Sequence, residues 1–248
     1  ALASGEIGIL VGTHAVFQKD VHFADLRLAI VDEQHRFGVR QRLELGKKGV
    51  SADVLVMTAT PIPRSLALAQ YGDMDVSVLD EKPAGRQPIK TALVSTQRME
   101  EVTEHLKGAV GAGKQAYWVC PLVDESESVD LAAAEERFKA LRAQLGEGRV
   151  GLVHGQMPPE DKDAAMAAFQ RGDLSVLVAT TVIEVGVDVP NATIMVIERA
   201  ESFGLSQLHQ LRGRVGRGTG ASTCLLMYRA PLSEGGEKRL TTLRDTED

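Results

Sequence analysis

Residues 26–35 read LRLAIVDEQH, an apolar run that ends in two carboxylates, an amide and an imidazole. An apolar run of this length suits a strand buried on both faces of a parallel sheet. Ligands of such sheets bind beyond the carboxyl ends of the strands, where Asp32 and Glu33 are delivered. There Asp32 can hold a magnesium ion on nucleotide phosphates, and Glu33 can orient or deprotonate a water. A second chemical segment, QLHQLRGRVGRG at 207–218, alternates Arg212, Arg214 and Arg217 with Gly213, Gly216 and Gly218. Glycines let the backbone approach a ligand closely, and guanidiniums stabilise charge on a transferring phosphoryl group. Each segment has a plainer explanation. A strand-end acid often caps the next helix, and a basic turn can simply be solvated. The glycines count against the second of these, because they weaken a helix that has nothing to bind.

Other segments carry weaker signals. Thr58-Ala59-Thr60 ends the next apolar run, where its hydroxyls can lie beside His35; a helix cap before Pro61 is the better account of an isolated T-x-T. In ATTVIEVGVDVP (179–190), Thr180 and Thr181 offer hydroxyls to a phosphate backbone, and Asp188 after Gly186 offers a carboxylate to a ribose or an arginine. Gly12-Thr13-His14 and His154-Gly155-Gln156 are strand-end turns that need no ligand to explain them. Tyr117 and Trp118 read as core aromatics. With aromatics at only 4%, a base-stacking single-strand surface is disfavoured.

The elements that must position these residues alternate along the chain. Leu26–Val31 and Val54–Met57 are strands, and Pro61-Ile62-Pro63-Arg64 opens a helical pattern through Leu66, Leu68 and Ala69. The aperiodic EKPAGRQP at 81–88 reads as a linker. Beyond it come a short apolar run Tyr117–Val119, a helix Leu131–Leu145 and a strand Val150–Val153. A helix Glu160–Phe169 follows, then strands Leu174–Ala179 and Ile194–Ile197, a helix Leu205–Val215, a strand Cys224–Tyr228 and a last helix from Glu237 to Arg244. This alternation implies parallel βα units. The fold class is α/β, with a complete lobe at 89–230 preceded by a partial lobe at 1–82, a linker at 83–88, and the start of a truncated helical region at 231–248.

Composition sets outer bounds. The 248 residues are 44% hydrophobic and 25% charged, ordinary for a globular chain, and the net charge of −6 argues against a generally basic nucleic-acid coat. A local groove of amides, hydroxyls and a few arginines can still hold phosphates. Cys120 and Cys224 lack partner or metal spacing, and no signal peptide or membrane-length run occurs, so a reduced cytoplasmic setting is expected.

The ordered set GTHA, DEQH, TAT, HGQM, ATTVIEVGVDVP and QLHQLRGRVGRG resembles the motifs of superfamily 2 helicases, from the one labelled Ib through VI. The connecting text at 36–42 (RFGVRQR), 60–68 (TPIPRSLAL), 71–81 (YGDMDVSVLDE) and 201–210 (ESFGLSQLHQ) is similar to the RecG family of bacterial ATP-dependent DNA helicases. The resemblance spans nearly the whole chain. It implies RecA-like parallel sheets flanked by helices, and a motor with ATP and magnesium (Mg2+) between two lobes that acts as a monomer on branched or forked duplex DNA. Asp32 would hold the metal, Glu33 would activate the attacking water, and His35 would couple the site to Thr58 and Thr60. Gln210, Arg214 and Arg217 would reach across from the second lobe, the last two as arginine fingers. Gly186 and Asp188 would sit at the nucleotide edge, while Thr13, His14, Gln156 and Thr181 would face the DNA backbone. Arg212 stands one position after the arginine more usual in this superfamily, where the chain has Leu211, and is given a lesser role.

No G-x-x-x-x-G-K-[ST] phosphate loop occurs in these residues, nor the family's wedge domain, so this polypeptide by itself is expected to bind ATP poorly and not to hydrolyse it. Two rivals stand beside the RecG-like reading. One is the translocase of transcription–repair coupling, which shares RFGV and TPIPR but normally has DEEH where this chain has DEQH. The other is a non-catalytic interaction module on the same fold, for which intact Asp32, Glu33, Arg214 and Arg217 would have no chemical need.

Overall fold

The computed structural model describes residues 1–18, 20–32, 52–58, 75–79, 81, 85–121, 127–180 and 189–246, with the side chains of 14, 17 and 127–130 excepted. The chain folds as two units, Ala1–Ser77 and Val78–Asp248. In the first, strands β1 (Leu28–Val31) and β2 (Asp53–Val56) pair in parallel, Leu28 opposite Asp53 and Val31 opposite Val56. Ala29 and Val31 are buried, whereas Leu28 and Ile30 on the alternate face are about half exposed. The expectation of burial on both faces is therefore corrected for β1. Strand residues alternate sides, and one side of this pair has no cover among the described residues. The helix expected from Pro61 lies outside the described residues.

The second unit is built on a six-stranded parallel sheet in the order β3-β8-β7-β4-β6-β5. The strands are β3 (Ile89–Ser95), β4 (Gln115–Val119), β5 (Val150–Val153), β6 (Val176–Ala179), β7 (Ala192–Ile197) and β8 (Ser222–Tyr228). Among the described residues five helices flank it: α1 (Met99–Gly111), α2 (Glu127–Leu145), α3 (Pro159–Arg171), α4 (Leu205–Arg212) and α5 (Glu234–Asp245). Period-two alternation along β4 separates the two cores. Ala116, Trp118 and Cys120 pack with Val102, Leu106 and Val110 of α1 and Leu141 of α2. Tyr117 and Val119 face the other way, onto Met166 and Phe169 of α3, Leu208 and Leu211 of α4, and Leu240 and Leu243 of α5. Tyr117 and Trp118 are thus both core residues, as their sequence context suggests.

Local chemistry sets the helix limits. Ser95 Oγ accepts from the Gln97 N–H ahead of α1, Pro159 opens α3, and Ser233 Oγ accepts from the Gly236 N–H at the start of α5. Helix α3 stops where Gly172 turns left-handed at φ 85°. Helix α4 ends at Arg212 and not at the expected Val215, because Gly213 begins the tight turn of RGRVGR. Strand β3 and helix α1 were not anticipated from the sequence. The i, i+4, i+8 spacing of Val102, Leu106 and Val110 was present there, interrupted by Gly108 and Gly111. No helix among the described residues is long and apolar enough to cross a membrane.

Candidate functional site

In the first unit, Asp32 directly follows β1 and is exposed. The parallel register continues past the strand ends, with the Met57 N–H donating to the Val31 carbonyl at 2.8 Å. Asp32 and Thr58 therefore stand at the carboxyl ends of neighbouring strands, whose spacing is about 4.8 Å. A carboxylate and a hydroxyl at neighbouring strand ends are oxygen-donor chemistry of the kind magnesium takes. That ion is usually held through one or two carboxylates, its other positions going to water and phosphate. No cluster of three or more potential metal ligands occurs among the described residues. Glu33, His35 and Thr60 lie outside the described residues.

Thr13 is exposed, and its carbonyl accepts from the Val16 N–H at 3.0 Å to close the short 3-10 turn His14–Phe17. Gly12 is needed just before it, since a Cβ there would fall against Val16 Cγ1. His14 belongs to the turn; its side chain is outside the described set.

The second unit separates its candidate residues onto opposite edges of one sheet. Gln156 is exposed three residues past β5, and Thr180 is buried directly after β6; the Thr180 N–H donates to the Val153 carbonyl at 3.2 Å. Both belong to the carboxyl edge. Thr181, Gly186 and Asp188 lie outside the described residues. The arginine turn belongs to the amino edge. Gly216 packs against Ile89, the first residue of β3, and Gly218 against the carbonyl of Pro190, just before β7. Gln210 on α4, and Arg214 and Arg217 on the turn, are each half-buried. The turn is closed by the Arg214 N–H on the Leu211 carbonyl at 3.0 Å and the Val215 N–H on the Arg212 carbonyl at 3.2 Å; Arg217 Nε donates to the Gly213 carbonyl at 3.2 Å.

Arg212 departs from the set of three. It is 5% exposed and donates from one nitrogen to the carbonyls of Leu243 (2.6 Å) and Thr246 (2.7 Å). The sequence suggested three guanidiniums for a ligand; the fold commits Arg212 to the interior and leaves Arg214 and Arg217 as the pair.

Sequence reasoning passed over one polar centre. Glu198, just beyond β7, accepts from Trp118 Nε1 and from Arg137 Nε, and the Arg137 guanidinium lies 5.4 Å above the Trp118 ring. Burial works against the Arg137 charge, but the hydrogen bond and charge of Glu198 outweigh it and hold the guanidinium protonated. The signal was available, because Glu198 ends an apolar run as Asp32 does.

Residues 97–219 match the helicase conserved C-terminal domain. The ATP-dependent DNA helicase RecG of Pasteurella multocida is 56% identical over 252 residues; the match covers all of this chain and 36% of that protein. A solved structure of RecG bound to a three-way DNA junction superposes with a TM-score of 0.78 at 45% identity, covering 99% of this chain and 32% of that one. The structure of S. cerevisiae Dbp5 bound to RNA and ADP BeF3 shares the fold at a TM-score of 0.66 and 14% identity, covering 94% of this chain and 60% of the other. The chain spans about a third of the length of the curated relatives it matches. With that identity sustained from end to end, on a RecA-like parallel sheet carrying the helicase C-terminal domain, the chain belongs to the RecG family of helicases.

Proposed function

We propose that this chain forms part of an ATP-dependent DNA helicase that remodels branched or forked duplex DNA. Asp32 holds the magnesium ion on the nucleotide phosphates and Glu33 activates the attacking water. His35, with Thr58 and Thr60, couples that chemistry to the rest of the motor. Gln210, Arg214 and Arg217 serve nucleotide turnover, the two arginines countering charge on the transferring phosphoryl group. Gly186 and Asp188 belong with this group. Thr13, His14, Gln156 and Thr181 contact the DNA backbone, contacts that position a motor without reading sequence. Work of this kind belongs in the cytoplasm, and a monomer suffices for it.

The observation that carries the reading is the opposition within the second sheet. Arg214 and Arg217 are held on a braced turn at the amino edge, whereas Gln156 and Thr180 stand at the carboxyl edge. Separate edges suit an enzyme that must grip a nucleotide and a polymer at once.

The test uses the whole protein and its Glu33→Gln variant on a three-way DNA junction. Removing a general base typically costs 10²–10⁴-fold, so turnover and unwinding should fall by roughly that factor while ATP binding persists. Unwinding retained in Glu33→Gln would remove the role given to Glu33. A wild-type protein that binds junctions without hydrolysing ATP would favour the non-catalytic module.

A further inference from the structure

We propose that Arg212 is a positioning residue for the arginine turn, with helix α5 as its fixed point. This rests on the role given above to Arg214 and Arg217. The carbonyls of Leu243 and Thr246 lie at the C-terminal end of α5, where a helix has unsatisfied acceptors and the negative end of its dipole. A guanidinium placed there makes charge-assisted bonds and offsets the cost of leaving water. Arg212 Nη2 also lies 3.4 Å from His209 Nδ1, one turn earlier on α4.

Helix α5 is itself firmly seated. Leu240 and Leu243 are at most 1% exposed, and Arg239 donates to the Glu201 carbonyl at 2.7 Å, tying α5 to the short turn Ala200–Ser202. Arg212 is the last residue of α4, so anchoring it to α5 fixes the direction in which the chain leaves that helix. Arg214 follows two residues later and Arg217 five. Downstream, Val215 is 2% exposed and Gly216 and Gly218 rest against Ile89 and Pro190. The turn is thus held on one side by Ile89 of β3 and Pro190 ahead of β7, and on the other by α5 through Arg212. The device bears on geometry: a guanidinium displaced by about 1 Å from a phosphoryl group can cost on the order of a hundredfold in rate.

The test compares the whole wild-type protein with Arg212→Lys and Arg212→Ala, all assayed at least about 10 °C below each variant's melting midpoint. Lysine is a point charge with no fork and cannot reproduce the geometry of the guanidinium. The expected result for Arg212→Lys is a kcat for DNA-dependent ATP hydrolysis reduced roughly ten- to a hundredfold, with KM for ATP changed less than about twofold. Millimolar guanidinium should restore part of the kcat of Arg212→Ala and none of that of Arg214→Ala. A kcat within about twofold of wild type in Arg212→Lys, or a chain that folds at no temperature, would overturn the inference. A wild-type protein without DNA-dependent ATP hydrolysis would instead overturn the function from which it starts.

Discussion

Gly216 lies where two costs of adding one methyl group can be separated. Its φ of 75° is in the left-handed region, which costs an L-residue about 1–2 kcal/mol. A Cβ built there would also sit 2.8 Å from Ile89 Cγ1 and 3.0 Å from Cδ1, well inside the ordinary contact distance of about 3.5–4.0 Å. Overpacking of this kind costs about 1–3 kcal/mol, so Gly216→Ala should lose roughly 2–5 kcal/mol. That is a large share of the 5–15 kcal/mol by which a domain is typically stable. For a unit of this size it corresponds to a fall of roughly 4–20 °C in melting midpoint. Urea and thermal unfolding followed by circular dichroism would measure it. Adding Ile89→Ala removes both clashing atoms, and the double-mutant cycle should return about 1–3 kcal/mol of favourable coupling, leaving the backbone strain behind. Gly213→Ala is the control: φ is −67°, the nearest atoms are carbonyl oxygens at 3.5 Å, and its stability should stay within about 1 kcal/mol of wild type. A Gly216→Ala chain as stable as Gly213→Ala would refute the account of the turn.

Two further outcomes follow from the interior of the second unit. Gln115 is 4% exposed and its Nε2 donates to the carbonyls of Phe169 and Leu174 at 2.6 and 2.7 Å. Gln115→Met should cost roughly 1–3 kcal/mol in urea unfolding, and an unchanged midpoint would show those bonds to be dispensable. The thiols of Cys120 and Cys224 are both pushed up by burial, Cys224 to about 12 even with Arg212 acting in the opposite direction. Ellman's reagent at pH 8 should therefore find neither thiol in the native chain and both in denaturant; one fast native equivalent would contradict this. Because the folded state favours the neutral thiol, the Cys224 contribution to stability is full below about pH 9. It is lost progressively as pH rises toward 12.

Much of this molecule was legible as text, for reasons that can be named. Strands β4 to β8 announced themselves because a parallel strand covered by helices on both faces must be apolar at nearly every position. Helix α3 was bounded by Pro159 and Gly172, residues whose backbone preferences are local. Strand β3 was missed because it is an edge strand of partly buried residues, and a mixed KTALVS run matches neither a core nor a surface pattern. Asp32 and Arg214 could be singled out by residue type and spacing; Glu198 bore the same strand-end signal and was passed over, its partners Trp118 and Arg137 standing 80 and 61 residues away.

By itself, then, the sequence determined the βα alternation, the strand-end carboxylate, the pair of aromatics in the core and the arginine–glycine turn. These depend on backbone propensity and on periodicity over a few residues. The tertiary structure decided which of the three arginines is buried. Arg212, Arg214 and Arg217 are the same residue type in one short segment, and the carbonyls at the end of α5, some thirty residues later, hold Arg212 inside. It also decided that Gln156 and the arginine turn stand on opposite edges of one sheet, because strand order is settled by long-range packing that no local pattern records.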